Sequence, residues 1–269
     1  MYRLIAFDLD GTLLNDELVM SPRVRRALDQ ARKRGILLTL ASGRGYPALR
    51  PWVDDLGWIT PLICYQGAVV ADAASGRAVF QLTFPKSQAV DLVTFAREHH
   101  LELLLFADDV IYVENKLRSD AYYDKWFGGA FRVVDDLLAA TPAELSKFII
   151  VGDGEDLDFL RPEVERRFGD HLQIVRSHRF FLEGLANEAT KGNALAWLAA
   201  RLGIAREETM AIGDSGNDRS MIAWAGLGVA VGNASDEAKS AADYIAPSVD
   251  EDGVAEVLEH FCLRNGNHE

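Results

Sequence analysis

Short apolar runs alternate with amphipathic helical segments over the first 65 residues, and this alternation limits the fold more than any other feature of the chain. The apolar runs at 4–7, 36–41 and 61–65 are separated by helical patterns that begin near Ser21 and Tyr46. Runs of this length bounded by Gly or charged residues are typical of buried parallel strands. Parallel neighbours joined through helices require right-handed crossovers. The sequence therefore predicts an α/β fold built on a mostly parallel sheet.

The alternation changes character in the middle of the chain. Between residues 83 and 186, helical segments are followed by pairs of strand-like runs, and the segment 107–109 between two such runs indicates a hairpin. This pattern indicates an α+β unit with antiparallel strands. The strand–helix rhythm returns from Lys191 onward. We therefore expect a doubly wound core made of residues 1–82 and 187–269, interrupted by an inserted α+β domain over 83–186.

The charge balance argues against several classes of partner. The 269 residues include 28 Lys and Arg against 41 Asp and Glu, which gives a formal net charge of -13. A nucleic-acid-binding face needs clustered basic residues, and anionic membranes also attract basic segments, so we expect neither partner. A small anionic substrate remains compatible with this charge if a local positive group overcomes the overall field.

Cysteine content and the start of the chain indicate a cytoplasmic protein. Cys64 and Cys262 are too few for a disulfide framework or a zinc site. The chain contains no apolar run of the 18 or so residues that a membrane-spanning helix needs. Its first apolar run is interrupted at Asp8, which is too early for a signal peptide. We expect a monomer or a homodimer.

Polar residues and one glycine follow three of the predicted core strands. They are Asp8 and Asp10, Ser42 and Gly43, and Asp214, Asn217 and Asp218. Ligands bind outside the carboxyl ends of strands in open α/β sheets. Three carboxylates gathered there would repel, by about 4 kcal/mol for a pair ~4 Å apart at an effective dielectric near 20. A divalent cation would balance them, and oxygen donors without His or Cys favour Mg²⁺. Taken singly, each acid is equally compatible with a solvated loop or a helix cap.

Four short segments, taken together, resemble the motifs of the haloacid dehalogenase superfamily of phosphohydrolases. They are DLDGTL at 8–13, SGR at 42–44, KG at 191–192 and GDSGND at 213–218. The tail at 242–254 resembles the Cof-type subgroup, whose cap domain lies between the second and third motifs. The resemblance covers essentially the whole chain and implies a Rossmann-like core. Gln66 and Val249 depart from the subgroup, which usually carries Asn at both places.

The resemblance implies a phosphatase that uses Mg²⁺. Asp8 would be the nucleophile that forms an aspartyl-phosphate, and Asp10 would act as the general acid and base. Lys191 would neutralise the phosphoryl oxygens and position the nucleophile. The metal ligands would be Asp8, Asp214 and the backbone carbonyl of Asp10.

The remaining motif residues would bind the phosphate group. Ser42, Gly43 and Asn217 would contact phosphate oxygens together with Lys191, and Asp218 would support Lys191 or a metal-bound water. Helix N-capping by Ser42 is the alternative interpretation of that residue.

The substrate is expected to be a small phosphorylated metabolite, with sugar phosphates first. A cap that closes over the core would exclude water and set specificity. The candidate substrate contacts are Arg44 and Gln66, followed by His178 and Arg179. A surface ion pair is the alternative for Arg44.

Two other functions stay open. A phosphomutase related to this family would carry its cap between the first and second motifs, but the segment between Thr12 and Ser21 is too short for one. A non-catalytic sensor of a phosphometabolite should tolerate the loss of a catalytic residue. Asp8, Asp10, Lys191 and Asp214 are all present, which favours the enzyme.

Overall fold

The computed structural model describes residues 2–127 and 130–263. The strands are β1 (Leu4–Phe7), β2 (Leu37–Leu40), β3 (Leu62–Cys64), β4 (Val69–Ala71), β5 (Ala78–Gln81), β6 (Phe84–Pro85), β7 (Glu102–Ala107), β8 (Val110–Val113), β9 (Ala130–Val133), β10 (Glu144–Leu145), β11 (Lys147–Val151), β12 (Leu172–His178), β13 (Phe181–Ala186), β14 (Thr209–Gly213), β15 (Leu227–Ala230) and β16 (Tyr244–Ile245). The helices are α1 (Pro22–Lys33), α2 (Tyr46–Leu56), α3 (Lys86–Glu98), α4 (Asp120–Trp126), α5 (Leu137–Ala140), α6 (Gly154–Phe168), α7 (Lys191–Arg201), α8 (Arg219–Trp224), α9 (Asp236–Lys239) and α10 (Gly253–Leu258).

A parallel sheet forms the centre of the structure, and it confirms the predicted α/β class. Its strand order is β16-β15-β14-β1-β2, and each neighbouring pair is parallel. The order reverses between β1 and β14, because the chain runs from β1 through α1 to β2 but from β14 through α8 to β15. Right-handed crossovers in opposite directions place these two helices on opposite faces of the sheet. The carboxyl ends of β1 and β14 therefore border a crevice where ligands bind in such folds.

The third apolar run, β3, lies parallel to the end of β2, as expected, but its contact with the central sheet is short. β3 touches the central sheet through one parallel bridge, between Ala41 and Ile63, and otherwise pairs antiparallel with β4. The chain reverses at once because Tyr65, Gln66 and Gly67 all have positive φ, at 49°, 58° and 99°. These three successive left-handed residues turn the chain directly from β3 into β4.

A second sheet, mainly antiparallel, lies in the middle of the chain. Its order is β12-β13-β11-β7-β8-β9, with only the β8–β9 pair parallel among its described strands. The predicted strand pairs near 101–114 and 172–185 are confirmed. The sequence analysis missed β9, β10 and α5, which have four residues or fewer and carry too little periodicity to stand out.

The two faces of this second sheet have different neighbours. One face packs against α3 and α6 through a cluster that includes Leu105, Phe148 and Leu182. Side chains alternate along a strand, so Phe106 and Lys147, which are direct cross-strand partners, lie on the other face. That face contacts the loop after β2, since the Lys147 ammonium donates a hydrogen bond of 3.0 Å to the Gly43 carbonyl.

None of the helices in 2–127 and 130–263 combines the length and the apolar character that crossing a bilayer demands.

Candidate active site

Two carboxylates face each other at the carboxyl ends of β1 and β14. Asp8 directly follows β1, and Asp214 directly follows β14. The turn after β1 makes room for Asp214, because Gly11 has a φ of 88° and a Cβ there would lie 2.6 Å from Asp214 Oδ2. Thr12 Oγ1 donates a hydrogen bond of 3.0 Å to Asp214 Oδ1. The strand order and one glycine thus bring together acids that are far apart in sequence.

Lys191 supplies a positive charge beside Asp8. It is the first residue of α7, whose N-cap Thr190 accepts a hydrogen bond from the Asn193 amide. Its buried ammonium lies 2.5 Å from both Asp8 Oδ1 and Asp218 Oδ1. The second oxygen of Asp218 accepts hydrogen bonds from the backbone amides of Asp214, at 3.0 Å, and Ser215, at 2.9 Å. Asp218 therefore fixes both the lysine and the loop that carries Asp214.

Burial and the charges of neighbouring groups shift the pKa values of Asp8, Asp214 and Lys191. Burial raises the pKa of Asp8 well above its usual range against the opposing effect of Lys191, and Asp218 and Asp214 raise it further. Burial, and then the charge of Asp218, raise the pKa of Asp214 to about 7. Burial alone would lower the pKa of Lys191, but the carboxylates of Asp218 and Asp8 raise it above its usual value. Three carboxyl groups therefore share one ammonium, and ionising all three would leave the cluster with an excess of negative charge.

This cluster fits a hard divalent cation. One carboxylate oxygen from each of Asp8, Asp214 and Asp218 lies within 4.8 Å of the others. All the donors are oxygens, which suits Mg²⁺ and not zinc. Asp218 is already held by Lys191 and two amides, so Asp8 and Asp214 are the better-placed ligands.

Asp10 and Arg44 form an ion pair beside Asp8. The Arg44 Nε lies 2.7 Å from Asp10 Oδ2, and a second guanidinium nitrogen lies 2.6 Å from Asp10 Oδ1. This two-point contact holds the carboxylate in a fixed orientation. The Arg44 backbone amide also donates to Ser42 Oγ at 3.1 Å. Because the Ser42 oxygen is the acceptor in this bond, its hydroxyl proton stays available for donation to another group.

Gln66 and Asn217 form the opposite rim. Asn217 Nδ2 donates a hydrogen bond of 3.0 Å to Gln66 Oε1, and Asn217 Oδ1 accepts one of 2.5 Å from Ser215 Oγ. Gln66 is buried, and its Nε2 has no hydrogen-bond partner among the described atoms. A Cβ on Gly43 would lie 2.4 Å from this nitrogen, so a side chain there would displace the Gln66 amide.

One cavity opens beside Asp8 and the two rims, while Lys191, Asp214 and Asp218 are not among the residues that line it. It measures about 90 Å³, and its floor includes Asp8, Asp10, Ser42 and Asn217. Its roof comes from the second sheet and the helix beside it, through residues that include Lys147, Phe106, Trp126, Phe127, Phe181 and Glu183. The site is therefore a small chamber with a charged floor and a largely aromatic roof.

A family model described as haloacid dehalogenase-like hydrolase matches residues 5–258. The chain belongs to this family. Among relatives of this haloacid dehalogenase-like hydrolase, 5-amino-6-(5-phospho-D-ribitylamino)uracil phosphatase of Bacillus subtilis is 35% identical, over 97% of this chain and 96% of its own. Pyridoxal phosphate phosphatase of Escherichia coli is 30% identical, over 95% and 97%. The crystal structure of a haloacid dehalogenase-like hydrolase from Bacteroides thetaiotaomicron is 35% identical and superposes with a TM-score of 0.84, over 97% and 99%.

The structure of this hydrolase brings most of the residues singled out from sequence to one place. Asp8, Asp214, Asp218 and Lys191 form one connected cluster, and the cavity also touches the other proposed residues, Asp10, Ser42, Gly43, Arg44, Gln66 and Asn217. His178 also lines the cavity. Arg179 does not; it is exposed, and its guanidinium stacks over the Phe180 ring at 4.4 Å.

Lys147 and Glu183 line the cavity but were not anticipated from sequence. They form a buried ion pair of 3.0 Å in the second sheet of the hydrolase. The sequence carried a signal for them, since each is a charged residue inside an apolar strand, in KFIIV and FLEGLA. Charges at such positions are rarely buried unless they are paired.

Proposed function

We propose that this hydrolase is a Mg²⁺-dependent phosphatase that cleaves a small phosphate monoester through an aspartyl-phosphate on Asp8. The observation that carries the proposal is the buried Lys191 held between Asp8 and Asp218, with Asp214 opposite and a small chamber above. Two relatives are named as phosphatases, one of pyridoxal phosphate and one of a phosphoribitylaminouracil, and both names describe small phosphorylated molecules.

The reaction proceeds in two steps at phosphorus. The Asp8 carboxylate attacks, and the new Asp8 oxygen–phosphorus bond forms as the bond to the leaving alcohol breaks, while Asp10 gives that alcohol a proton. Asp10 then takes a proton from a water molecule, which attacks the phosphorus and breaks the bond to Asp8. Inorganic phosphate leaves, and both acids return to their starting states.

The other residues stabilise the charge on the transferring group. Lys191 and the Ser42 hydroxyl face phosphoryl oxygens, and Asn217 orients the group from the rim. Asp8, Asp214 and the Asp10 carbonyl would hold Mg²⁺, whose positive charge would keep Asp8 ionised and offset the charge of the phosphate.

We also propose that residues 83–186 form a cap over a core made of 1–82 and 187–269. The cavity takes its floor from the core segments and its roof from the inserted one, and the Lys147–Gly43 hydrogen bond joins the two. A cap of this kind keeps water away from the leaving group until the first step is complete.

The first test is the release of phosphate from p-nitrophenyl phosphate with Mg²⁺ and, separately, with EDTA. We expect turnover with Mg²⁺ and at most ~0.1% of it with EDTA, because the electrostatic contribution is several kcal/mol. Glucose 1-phosphate assayed in parallel separates the alternatives. Isomerisation without phosphate release would support the mutase, and tight binding without turnover would support the sensor.

Mg²⁺ should stabilise the protein more as the pH rises. Without metal the pKa of Asp214 is about 7, above its value in an unfolded chain, so the folded protein holds a proton there at low pH. The stability from that proton is lost as the pH rises through 7, and Mg²⁺ competes with the same proton. We expect the Mg²⁺-induced rise in melting temperature to be small at pH 5.5 and to grow through pH 8. Sodium chloride at equal ionic strength is the control, and an equal rise at both pH values would contradict the assignment of Asp214.

Arg44 should act by positioning Asp10. We expect Arg44→Met to lower kcat about tenfold on an alkyl phosphate and less on p-nitrophenyl phosphate, whose leaving group needs little help from an acid. Arg50→Met is the matched control, because Arg50 makes only an exposed pair with Asp54 on α2. Equal losses on both esters would mean that Arg44 does not work through Asp10.

A further inference from the structure

The roof of the cavity is a continuous wall of aromatic rings. Ring centroids are 5.7 Å apart between Tyr65 and Phe106, and 5.9 Å apart between Phe106 and Phe127. Phe127 and Phe181 follow at 5.3 Å, and Phe181 and Trp126 at 5.6 Å. All five rings line the same cavity above Asp8. The leaving group of a substrate bound at Asp8 must therefore lie against these rings.

The charged side chains Lys147, Glu183 and Arg44 of the cavity walls already form ion pairs. The Lys147 ammonium pairs with Glu183 Oε2 at 3.0 Å, and the other oxygen of Glu183 accepts a hydrogen bond from the Ser177 hydroxyl. Arg44 is matched with Asp10. A second phosphate or a carboxylate on the leaving group would have to break one of these pairs. The several hydroxyls of a sugar would lose water against the rings, and the unpartnered Gln66 Nε2 at the rim could bind at most two of them, which leaves a net cost.

We propose that the substrate is the phosphate monoester of an alcohol that carries one flat, uncharged aromatic or heteroaromatic ring. This inference rests on the proposed phosphatase function and replaces the sugar phosphates that the sequence analysis placed first. Flat rings gain from edge and face contacts with aromatic side chains beyond simple burial.

The size of the cavity limits the ring. A volume of about 90 Å³ is smaller than the ~150 Å³ of a protein cavity that holds benzene. The chamber as it stands is therefore smaller than one ring and must widen to admit it.

The test compares matched esters. Benzyl phosphate and cyclohexylmethyl phosphate have leaving groups of similar size and basicity, but only the first is flat. We expect kcat/KM for benzyl phosphate to be about tenfold higher than for cyclohexylmethyl phosphate or glucose 6-phosphate, and about tenfold higher than for 4-carboxybenzyl phosphate. Equal values, or a preference for the sugar or the carboxylate, would overturn the inference while leaving the phosphatase intact. If no ester is hydrolysed, the phosphatase function itself fails.

A pair of variants locates the effect in the aromatic wall. Phe181→Leu keeps an apolar side chain at the centre of the wall, and we expect it to lower the ratio of benzyl to cyclohexylmethyl activity at least threefold. Phe159→Leu is the control, because Phe159 lies on the exposed surface of α6, and it should leave the ratio unchanged. Thermal melting confirms that both variants are folded. The contradicting result is a parent protein that prefers the flat ring and a Phe181→Leu variant that leaves the activity ratio unchanged. That result would mean that the ring is recognised elsewhere, and it would overturn the proposed role of the aromatic wall.

Discussion

Asp8→Asn should lower kcat by about 10⁴-fold or more while the protein remains folded. The amide has nearly the shape of the carboxylate, but it cannot attack phosphorus, and loss of a nucleophile costs most of the catalysis that depends on it. Folding should not suffer, because burial and neighbouring acids already disfavour the charge on Asp8 and hold its pKa well above the usual range. Phosphate release from p-nitrophenyl phosphate with Mg²⁺ measures the effect.

Asp55→Asn is the matched control for this substitution. Asp55 is exposed and pairs with Arg25 far from the cavity, so its loss should change kcat less than twofold. Residual activity of more than ~1% in Asp8→Asn, in protein free of the parent enzyme, would mean that another group attacks the phosphorus.

Lys191→Met should damage both catalysis and stability. The ammonium is the cation that Asp8 and Asp218 share inside the protein, and removing one partner of a buried ion pair costs about 3–5 kcal/mol of unfolding free energy. We expect kcat to fall by about 10³-fold, because the phosphoryl oxygens also lose their positive partner.

The loss of stability in Lys191→Met should depend on pH. Without the ammonium, the folded-state pKa values of Asp8 and Asp214 lie further above their unfolded values, because Lys191 lowers both. The stability that comes from protonating them is present at low pH and is lost as the pH rises. Urea unfolding in EDTA should therefore show a larger deficit at pH 8 than at pH 5. Lys33→Met, which removes an exposed pair with Asp29, should lose little at either pH. An equal deficit at both pH values would contradict the charge argument.

The floor of the site could be predicted from sequence because its geometry follows from the sheet. Asp8 and Asp214 are more than 200 residues apart, yet parallel neighbours must place their carboxyl ends together, and the glycines nearby indicated a crowded turn. Arg44 lines the cavity, but its ion pair with Asp10 depends on side-chain directions that no sequence pattern encodes. The antiparallel pairing of β3 with β4 was not predicted, because Tyr65 and Gln66 adopt left-handed backbone angles that non-glycine residues rarely take.

The roof could not be predicted in the same way. Lys147 lies 36 residues from Glu183 and 104 from Gly43, and only the strand order of the second sheet brings them together. Two of the roof's rings, Trp126 and Phe127, come from the end of a short helix, and their common face depends on tertiary packing. Scattered aromatic residues in a sequence indicate a core by default, and only the cavity shows which of them border a ligand.

The most direct test of the central proposal is to trap the phosphorylated enzyme. Protein mixed with substrate and Mg²⁺ is quenched in acid and treated with borohydride, which reduces an acyl phosphate to an alcohol, and the peptides are then sequenced by mass spectrometry. We expect homoserine at position 8, with more of it in Asp10→Asn, where the second step lacks its base. Unmodified Asp8 in a sample that is turning over substrate, or a phosphoryl group on any other residue, would contradict the proposal.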